Sequence, residues 1–306
     1  MHMLKGKTVV LGVTGGIAAY KMPNLASALV KLGCNVQVLM TRNATEFITA
    51  VTFETLTGNK ALVDTFDRNF QFKVEHVAVA DQADLVLVAP ATANVIAKMA
   101  HGQADDMLTT VTLAAHCPKL VAPAMNTHML ENPITQDNIR TLEHYGFTVI
   151  PSGSGLLACG DVGSGRLPEE SVLVDYVLRE LACEKDLTGK KVVVSAGATQ
   201  EPMDPVRYLT NHSTGKMGYA VARACMLRGA EVVLLSSTSC TQPDVPFVKK
   251  VPFTTAKDLF EAVKANAMDA DALVMAAAVA DYRPAEVAAD KVKKHDGEMN
   301  IALERT

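Results

Sequence analysis

Residues 8–20 read TVVLGVTGGIAAY, an apolar run that ends in a glycine-rich turn and continues directly into a helical pattern. Thr8–Val13 is apolar on both faces, as is typical of a strand buried inside a parallel sheet. The turn G-V-T-G-G-I places backbone N–H groups at the start of a helix, where a phosphate can bind. A plain tight turn from strand to helix would use the same residues. The stretch therefore predicts a first βα unit and leaves open whether its turn holds a ligand.

The alternation of short apolar runs and helical patterns continues through the first half of the chain. Leu25, Leu29 and Leu32 recur at helical spacing after the first strand. Further buried strands are predicted at Val36–Met40, Leu85–Ala89, Leu120–Ala122 and Thr148–Ile150. Strands that alternate with helices are typical of parallel sheets with helices on both faces. The first half is therefore predicted to be a doubly wound parallel α/β sheet.

A second unit follows a helix around Ser171–Leu181 and the polar segment Glu184–Lys190. The strands and helices predicted in it are Lys191–Ala196, Lys216–Leu227, Glu231–Ser236, Leu259–Ala267 and Ala272–Ala278. We place the boundary near residue 189, which gives domains 1–189 and 190–306. The second domain is expected to be incomplete, because the sequence stops on LERT before further strands close the sheet.

Composition and charge narrow the functional classes. The chain has 306 residues, of which 49% are hydrophobic, and a net charge of -4, so nucleic acid is not expected as a partner. The longest apolar run, Ala272–Ala280, is too short for a bilayer, which takes about 20 residues, so no membrane interaction is predicted. The 6 cysteines include no C-x-x-C pair, which argues against a zinc site or a disulfide framework. These features predict a cytoplasmic protein that acts on small molecules.

The turn after the first strand favours a mononucleotide over a nicotinamide dinucleotide. The order G-x-G-x-x-G is absent, and the second strand ends in Met40-Thr41-Arg42 instead of the acidic residue that binds a ribose hydroxyl. A single phosphate would be held by Gly15, Ile17 and the hydroxyl of Thr41. A nicotinamide-dependent oxidoreductase stays open as an alternative.

Small residues and asparagine follow the third and fourth strands, in APATAN (residues 89–94) and APAMN (residues 122–126). Ligands of open α/β sheets bind at these carboxyl ends. Proline and alanine let a flat ring approach the backbone, and Asn94 and Asn126 offer both a donor and an acceptor. His76, in KVEHVAVAD, precedes the third strand on a short polar segment, where a structural and a catalytic role both stay open.

The stretch GLLACGDVGSGR, residues 155–166, carries Cys159 and Arg166 among four glycines. So many glycines predict a flexible loop, and a loop that closes over a substrate can exclude water. Cys159 has no neighbouring Cys or His at zinc-ligand spacing, and Arg166 is a candidate for contacting an anion.

Motifs in a fixed order resemble the flavin-dependent cysteine decarboxylase family: GVTGGIAAYK, EHVAVAD, APATAN, GQADDMLTT, PAMNTHM and LLACGDVGSGR. In the second half, SAGATQEPMDPVRYLTNHSTGKMGYA, AAAVADYRP and KVKK resemble phosphopantothenate–cysteine ligases. From the first strand to residue 294, the chain is thus similar to the bacterial bifunctional enzymes of coenzyme A biosynthesis. The resemblance implies a flavodoxin-like doubly wound parallel sheet domain followed by an incomplete Rossmann-like α/β domain.

For the first half, the resemblance implies an FMN-dependent decarboxylase that converts 4'-phosphopantothenoylcysteine into 4'-phosphopantetheine. The family's active-site histidine falls on His76, its substrate-binding asparagine on Asn126 and its redox-return cysteine on Cys159. An imidazole can exchange a proton, an amide can hold the departing carboxylate, and a thiol can protonate carbon after CO₂ has left. The positions implied to contact FMN are Gly15, Ile17, Thr41, Pro90, Thr92, Asn94, Thr109 and Met125.

One family position differs, because Ala104-Asp105-Asp106 stands where many members read A-N-D. A function assigned to that asparagine is therefore not carried over to this chain.

For the second half, the resemblance implies a ligase that uses CTP to convert 4'-phosphopantothenate into an acyl-cytidylate, which cysteine then attacks through its amine. Mg²⁺ is expected with the nucleotide. Asn211 and Lys291 fall on catalytic positions, and the positions implied to bind CTP are Ser213, Gly215, Lys216, Asp281 and Lys291. Without the resemblance, Asp281 could cap a turn and the lysines could form a solvated face. The resemblance places further nucleotide-binding residues and a dimer-forming region beyond residue 306, so ligation by this chain stays open.

The resemblance also implies a homo-oligomer, since related decarboxylases form trimers with flavin sites between subunits and bifunctional members build dodecamers. A further alternative is a flavin-binding regulatory relative without catalysis. The joint presence of His76, Asn126 and Cys159 favours an enzyme.

Overall fold

The run at residues 8–20 begins the first of two structural units. In this computed structural model the units are residues 1–182 and residues 183–306. The parts of the chain that the structure describes are residues 2–65, 75–156, 160–293, 296 and 298–306.

The first unit contains a five-stranded parallel sheet. Its strands are β1 (Thr8–Val13), β2 (Asn35–Met40), β3 (Leu85–Ala91), β4 (Lys119–Pro123) and β5 (Thr148–Val149). Their order across the sheet is β2-β1-β3-β4-β5, which is the flavodoxin-like order. The predicted doubly wound parallel sheet is therefore confirmed. The strand order reverses between β1 and β3, and this is where such sheets bind ligands.

Helices and one further strand pair complete this unit. The helices are α1 (Met22–Lys31), α2 (Ala50–Thr57), α3 (Glu75–Gln82), α4 (Ala93–Ala100), α5 (Met107–Ala114), α6 (Thr127–Glu131), α7 (Pro133–His144) and α8 (Glu170–Leu181). Gly12 in β1 lets α5 approach closely, because a Cβ there would lie 2.4 Å from Leu108 Cδ1. His76 lies on α3, a short helix before β3 that the sequence pattern does not predict. The helix is hard to recognise because Val77 and Val79 alternate with small residues, a pattern without a clear helical period.

Most of the glycine run is a β-hairpin, whereas sequence analysis predicts a flexible loop. Strands β6 (Gly153–Leu156) and β7 (Val162–Arg166) pair antiparallel. A Cβ at Gly163 would lie 2.5 Å from Thr127 Oγ1, and a Cβ at Gly165 would lie 2.2 Å from the Met125 carbonyl oxygen. These two glycines therefore let β7 pack directly on residues 125–127.

The second unit is built on a four-stranded parallel sheet. The strands after β7 are β8 (Lys191–Ala198), β9 (Gln200–Pro202), β10 (Tyr208–Thr210), β11 (Glu231–Ser237), β12 (Val248–Phe253), β13 (Ala272–Ala278), β14 (Tyr282–Pro284) and β15 (Leu303–Arg305). The order β12-β11-β8-β13 is that of the first half of a Rossmann sheet. Strands β9 with β10 and β14 with β15 form antiparallel pairs. The helices are α9 (Lys216–Leu227) and α10 (Ala256–Ala267).

Two details of the second unit differ from prediction. Strand β12 is missed because Lys249, Lys250 and Pro252 interrupt its apolar pattern, which an edge strand tolerates. Helix α10 begins before the predicted Leu259, because Thr255 and Asp258 form a capping box.

Among the described residues, every helix is too short or too polar to cross a bilayer.

Candidate functional site

A cavity of about 970 Å³ opens at the carboxyl ends of the first sheet, beside the point where the strand order reverses. Side chains or backbone from the turns after β1, β2, β3 and β4 line it. The predicted site residues in its wall are Gly15, Ile17, Thr41, Thr92, Asn94, Met125 and Asn126. Residues more than a hundred positions apart in sequence thus share one cavity.

The turns after β1 and β2 meet at Gly15. A Cβ at Gly15 would lie 2.4 Å from Asn43 Cβ, so only glycine fits at this position without a shift. Thr41 caps the short 3-10 helix after β2 by accepting a hydrogen bond from Ala44 N at 3.3 Å. Ile17 begins another 3-10 helix, for which no side chain in the described chain provides a cap. Uncapped backbone N–H groups at such a turn suit an anionic ligand.

Thr14, which sequence analysis does not select, joins two walls of the cavity. Its side chain is fully buried, donates to the Pro90 carbonyl at 2.6 Å and accepts from Thr92 N at 3.1 Å. The hydroxyl therefore ties the turn after β1 to the turn after β3. The sequence does offer one signal for Thr14: a hydroxyl residue stands between a buried strand and two glycines, where an apolar residue would continue the strand pattern.

The Asn126 side chain is oriented by the backbone of His128. Its Oδ1 accepts a hydrogen bond from His128 N at 2.9 Å, as the N-cap of α6. The amide nitrogen then serves as the donor, and it contacts Asp161 Oδ2 at 3.0 Å. The Asn126 amide thus already binds a carboxylate, which is the chemistry that the resemblance implies for it.

Charged groups of both signs surround this cavity. Lys98 pairs with Asp105 at 2.8 Å and with Asp106 at 3.4 Å, and the hydrogen bond to Asp105 raises the pKa of Lys98. Asp106 also caps α5 in a capping box with Thr109. The acidic pair Asp105 and Asp106 is therefore balanced by a lysine and a helix N-terminus. Lys21, Arg42 and Arg166 add positive charge to the wall, where an anionic ligand would meet them.

Four predicted residues of the first unit are not among the described residues that line the cavity. Pro90 is buried and contributes its carbonyl to Thr14, while Thr109 is 1% exposed and bonded to Asp106. Each is thus bonded to a residue in the cavity wall or next to it. His76 is partly buried on α3 and is not one of the described residues in the cavity wall. Cys159 lies outside the described residues.

The second unit has its own cavity, of about 630 Å³, at the carboxyl ends of β8 and β13. Its wall includes the predicted residues Asn211, Ser213, Gly215 and Lys216. Gly215 is the N-cap of α9 and has a φ of 75°, a conformation that favours glycine. A Cβ at Gly215 would also lie 2.5 Å from Cys240 Sγ, so the turn packs tightly on that thiol.

Asn211 is held in place by the end of the neighbouring strand, because its Nδ2 donates to the Val279 carbonyl at 3.1 Å. Asp281 and Lys291 are exposed and are not among the described lining residues. The Asp281 carbonyl accepts from Thr306 N at 3.1 Å, which extends the antiparallel pairing of β14 with β15 by one residue.

The two sheets, each with a cavity at its carboxyl edge, define a pair of α/β domains, the first flavodoxin-like and the second with the strand order of half a Rossmann sheet. Family models agree with this division. Residues 1–182 match the model described as Flavoprotein, and residues 187–306 match the DNA/pantothenate metabolism flavoprotein C-terminal domain. The chain is 45% identical to the coenzyme A biosynthesis bifunctional protein CoaBC of Bacillus subtilis, over 99% of this chain and 75% of that protein. The chain belongs to the family of bifunctional coenzyme A biosynthesis proteins.

Solved structures resemble the first unit. One is a mutant of PPC decarboxylase, a cysteine-to-serine variant complexed with pantothenoylaminoethenethiol, with a TM-score of 0.50 and 29% identity over 56% of this chain and 96% of that one. Another is the FMN-dependent cysteine decarboxylase SpaF, with a TM-score of 0.51 and 31% identity over 58% of this chain and 98% of that one. The flavodoxin-like fold of the first half is therefore that of known decarboxylases.

Proposed function

We propose that residues 1–189 bind FMN and convert 4'-phosphopantothenoylcysteine into 4'-phosphopantetheine. The observation that carries this proposal is the 970 Å³ cavity, whose wall gathers the glycine turn, Thr41, the APATAN turn and Asn126. Membership of the coenzyme A biosynthesis family and likeness to FMN-dependent decarboxylases support the substrate and the cofactor.

The residues around this cavity fit FMN. The uncapped turn at Gly15 and Ile17, with the hydroxyl of Thr41, would hold a single phosphate. The small residues and amides of the turns after β3 and β4 would face a flat ring, with Thr92, Asn94 and Met125 against it. When bound, FMN would supply the two-electron redox chemistry that lets CO₂ leave from an otherwise unactivated carboxylate, which no side chain supplies.

The chain's own residues would bind the substrate and move protons. The Asn126 amide would exchange its contact with Asp161 for one with the substrate carboxylate and hold it as CO₂ departs. His76 would orient the substrate and exchange a proton with it. Cys159 would then donate its thiol proton to the carbon that carried the carboxylate.

The affinity of the cavity for FMN should depend on the Thr14 hydroxyl, because that group joins two walls of the cavity. In Thr14→Val, the Pro90 carbonyl and the Thr92 N–H lose a buried partner, at about 1–3 kcal/mol for each unsatisfied group. We expect FMN to bind about tenfold more weakly, as measured by quenching of flavin fluorescence. Thr14→Ser keeps the hydroxyl and should bind FMN nearly as well as the wild-type chain. Equal affinities for Thr14→Val and the wild type would contradict this role.

We also propose that three copies assemble around the decarboxylase sites, as in related trimers, and that larger assemblies such as dodecamers build on this trimer. The position of His76, outside the cavity wall of its own chain, supports a site completed by a neighbouring copy. Light scattering measures the assembly. Mixed His76→Asn and Asn126→Ala protomers should regain decarboxylation only if the site is shared between copies.

We propose that residues 190–306 carry the CTP-dependent ligation of 4'-phosphopantothenate with cysteine. The phosphopantothenate carboxylate would attack the α-phosphorus of CTP, release pyrophosphate and form an acyl-cytidylate, and the cysteine amine would then displace CMP. Ser213, Gly215 and Lys216, at the start of α9, would hold phosphates, and Asn211 would contact the intermediate. Asp281 and Lys291 complete the proposed CTP site.

Mg²⁺ would enter this site with the triphosphate, since this ion keeps several waters and takes ligands from phosphates. No group of three or more His, Cys, Asp or Glu side chains in the described chain is placed to hold a metal.

One preparation tests these proposals. The purified chain should be yellow, retain FMN and release CO₂ from 4'-phosphopantothenoylcysteine. A chain that binds a nicotinamide nucleotide and no flavin would be the oxidoreductase alternative, and a chain that binds FMN without releasing CO₂ would be the regulatory alternative. The cytoplasmic location stays a prediction.

A further inference from the structure

A buried aspartate in the second unit holds the segment that contains Lys291. The Asp204 side chain is 0% exposed. Its Oδ1 accepts hydrogen bonds from Val206 N at 2.9 Å and Arg207 N at 2.8 Å. Its Oδ2 accepts from Arg207 Nε at 3.0 Å, Arg207 Nη2 at 2.6 Å and Val292 N at 3.1 Å. We call this carboxylate with its five hydrogen bonds the Asp204 anchor.

The anchor can be buried because its charge is fully paired. An isolated buried carboxylate is strongly unfavourable, whereas one that meets a guanidinium and several N–H groups is tolerated. The Arg207 guanidinium holds the pKa of the Asp204 carboxyl well below its usual range, and the three backbone N–H groups act in the same direction. The group is therefore ionised at neutral pH, and moving any partner away would leave a buried charge less satisfied.

The anchor joins parts of the chain that are 88 residues apart in sequence. Arg207 Nη2 also donates to the Val292 carbonyl at 3.0 Å, so both backbone groups of Val292 are bound. Ala288 N donates to the Met203 carbonyl at 3.0 Å. Residues 288–292 therefore lie along the turn formed by residues 203–207.

That turn belongs to the hairpin of β9 and β10, which also forms part of the nucleotide cavity. Tyr208 and Thr210 of β10 line the 630 Å³ cavity, and Asn211 follows them directly. One end of the hairpin thus shapes the cavity wall, while its turn holds the backbone next to Lys291.

We propose that Asp204 is a positioning residue of the ligase half, which fixes the backbone around Val292 so that Lys291 is presented to the phosphates of the nucleotide. The inference rests on the proposed ligase function. Lys291 and Lys293 are exposed, and a lysine ammonium on a flexible stem binds an anion better when its backbone is already fixed. A carboxylate suits this task because it can accept from Arg207 and from two separate segments at once.

Hydrogen exchange of the full chain tests the anchor directly. In Asp204→Asn, the amides of residues 286–293 should exchange about tenfold faster or more, because charge-assisted hydrogen bonds are lost. The amides of β8 should keep their wild-type rates, which shows that the unit is still folded. Unchanged exchange at residues 286–293 would overturn the proposal. If the β8 amides of Asp204→Asn also exchange faster, Arg207→Lys replaces this variant. Exchange at residues 286–293 and in β8 is then compared in the same way.

A double-mutant cycle tests whether Asp204 acts through Lys291. Calorimetry with CTP and Mg²⁺ should give about tenfold weaker binding for Asp204→Asn and for Lys291→Ala, and no further loss for the double variant. Additive losses would overturn the proposal, because Asp204 would then act independently of Lys291. A wild-type chain that binds no CTP would instead refute the proposed ligase site. The hydrogen-exchange experiment would still test whether Asp204 holds residues 286–293.

Asp271→Asn is the matched control. Asp271 also accepts from a lysine and a backbone N–H, namely Lys190 Nζ and Lys191 N, both at 2.8 Å. Neither of these partners belongs to the Asp204 anchor, so this variant should leave both CTP binding and exchange at residues 286–293 unchanged. Equal effects of the two substitutions would mean general destabilisation and would overturn the positioning role.

Discussion

Replacing Cys159 by serine is expected to leave CO₂ release intact and to stop the reaction at the enethiol. The role proposed for Cys159 begins after the carboxylate has left, when the carbon needs a proton. A thiol has an ordinary pKa of about 8.5, and a serine hydroxyl is a far weaker acid, so loss of this general acid should slow phosphopantetheine formation by about 10²–10⁴-fold. Product analysis by mass spectrometry, together with CO₂ release, separates the two stages.

The control for this substitution is Cys183→Ser. Cys183 is an exposed free cysteine for which no site function is proposed, so this variant should make phosphopantetheine at the wild-type rate. A Cys159→Ser chain that formed phosphopantetheine as fast as the wild type would refute the assigned role.

Replacing Gly165 by alanine should greatly reduce decarboxylation, because the added Cβ would displace the backbone of β7. Gly165 has a φ of +109°, which L residues rarely adopt, and a Cβ there would lie 2.2 Å from the Met125 carbonyl oxygen. Strand β7 would have to move off residues 125–127, and the Met125 and Asn126 wall of the cavity would move with it. A displacement of about 1 Å can reduce a rate by about 10²-fold, and we expect at least this loss in kcat/KM for CO₂ release.

Gly153→Ala tests the same hairpin without the clash. A Cβ at Gly153 would lie 3.6 Å from the Arg166 carbonyl oxygen, which is an ordinary contact, and no positive φ is involved. This variant should decarboxylate within about twofold of the wild type, since the substitution fits the existing space. Similar rates for Gly165→Ala and Gly153→Ala would contradict the importance of close packing between β7 and the PAMN turn.

Much of the fold follows from local patterns. The strands β1 and β13 and the helix α9 lie at their predicted residues, because each is a continuous apolar run or a clear helical period bounded by glycine or polar residues. Strand β12 is not predicted from the sequence, because Lys249, Lys250 and Pro252 interrupt its apolar pattern. Its pairing with β11 stabilises it in the folded chain. Helix α3 is missed for a similar reason, because its sequence carries no strong helical period.

The residues of the candidate sites also fall into two groups, those that the sequence could identify and those that it could not. Gly15, Thr41 and Asn126 could be selected from sequence because they stand at strand ends, and strand ends of an open parallel sheet meet in one crevice. Thr14 and Asp204 could not be selected, because their importance lies in partners that are distant in sequence. The roles of His76, Cys159 and Lys291 stay predictions.

The sequence by itself determined the two alternating α/β patterns, the strand ends that carry ligand-binding residue types, and the family to which the motifs belong. The tertiary structure decided which of those residues share a cavity, that Gly163 and Gly165 serve close packing of a hairpin, and that Asp204 holds the backbone beside Lys291. The physical reason is how far apart in the sequence the interacting residues are. Hydrophobic periodicity and turn chemistry act between neighbours in sequence, whereas burial of a hydroxyl or a carboxylate depends on partners that only the folded chain brings within hydrogen-bonding distance.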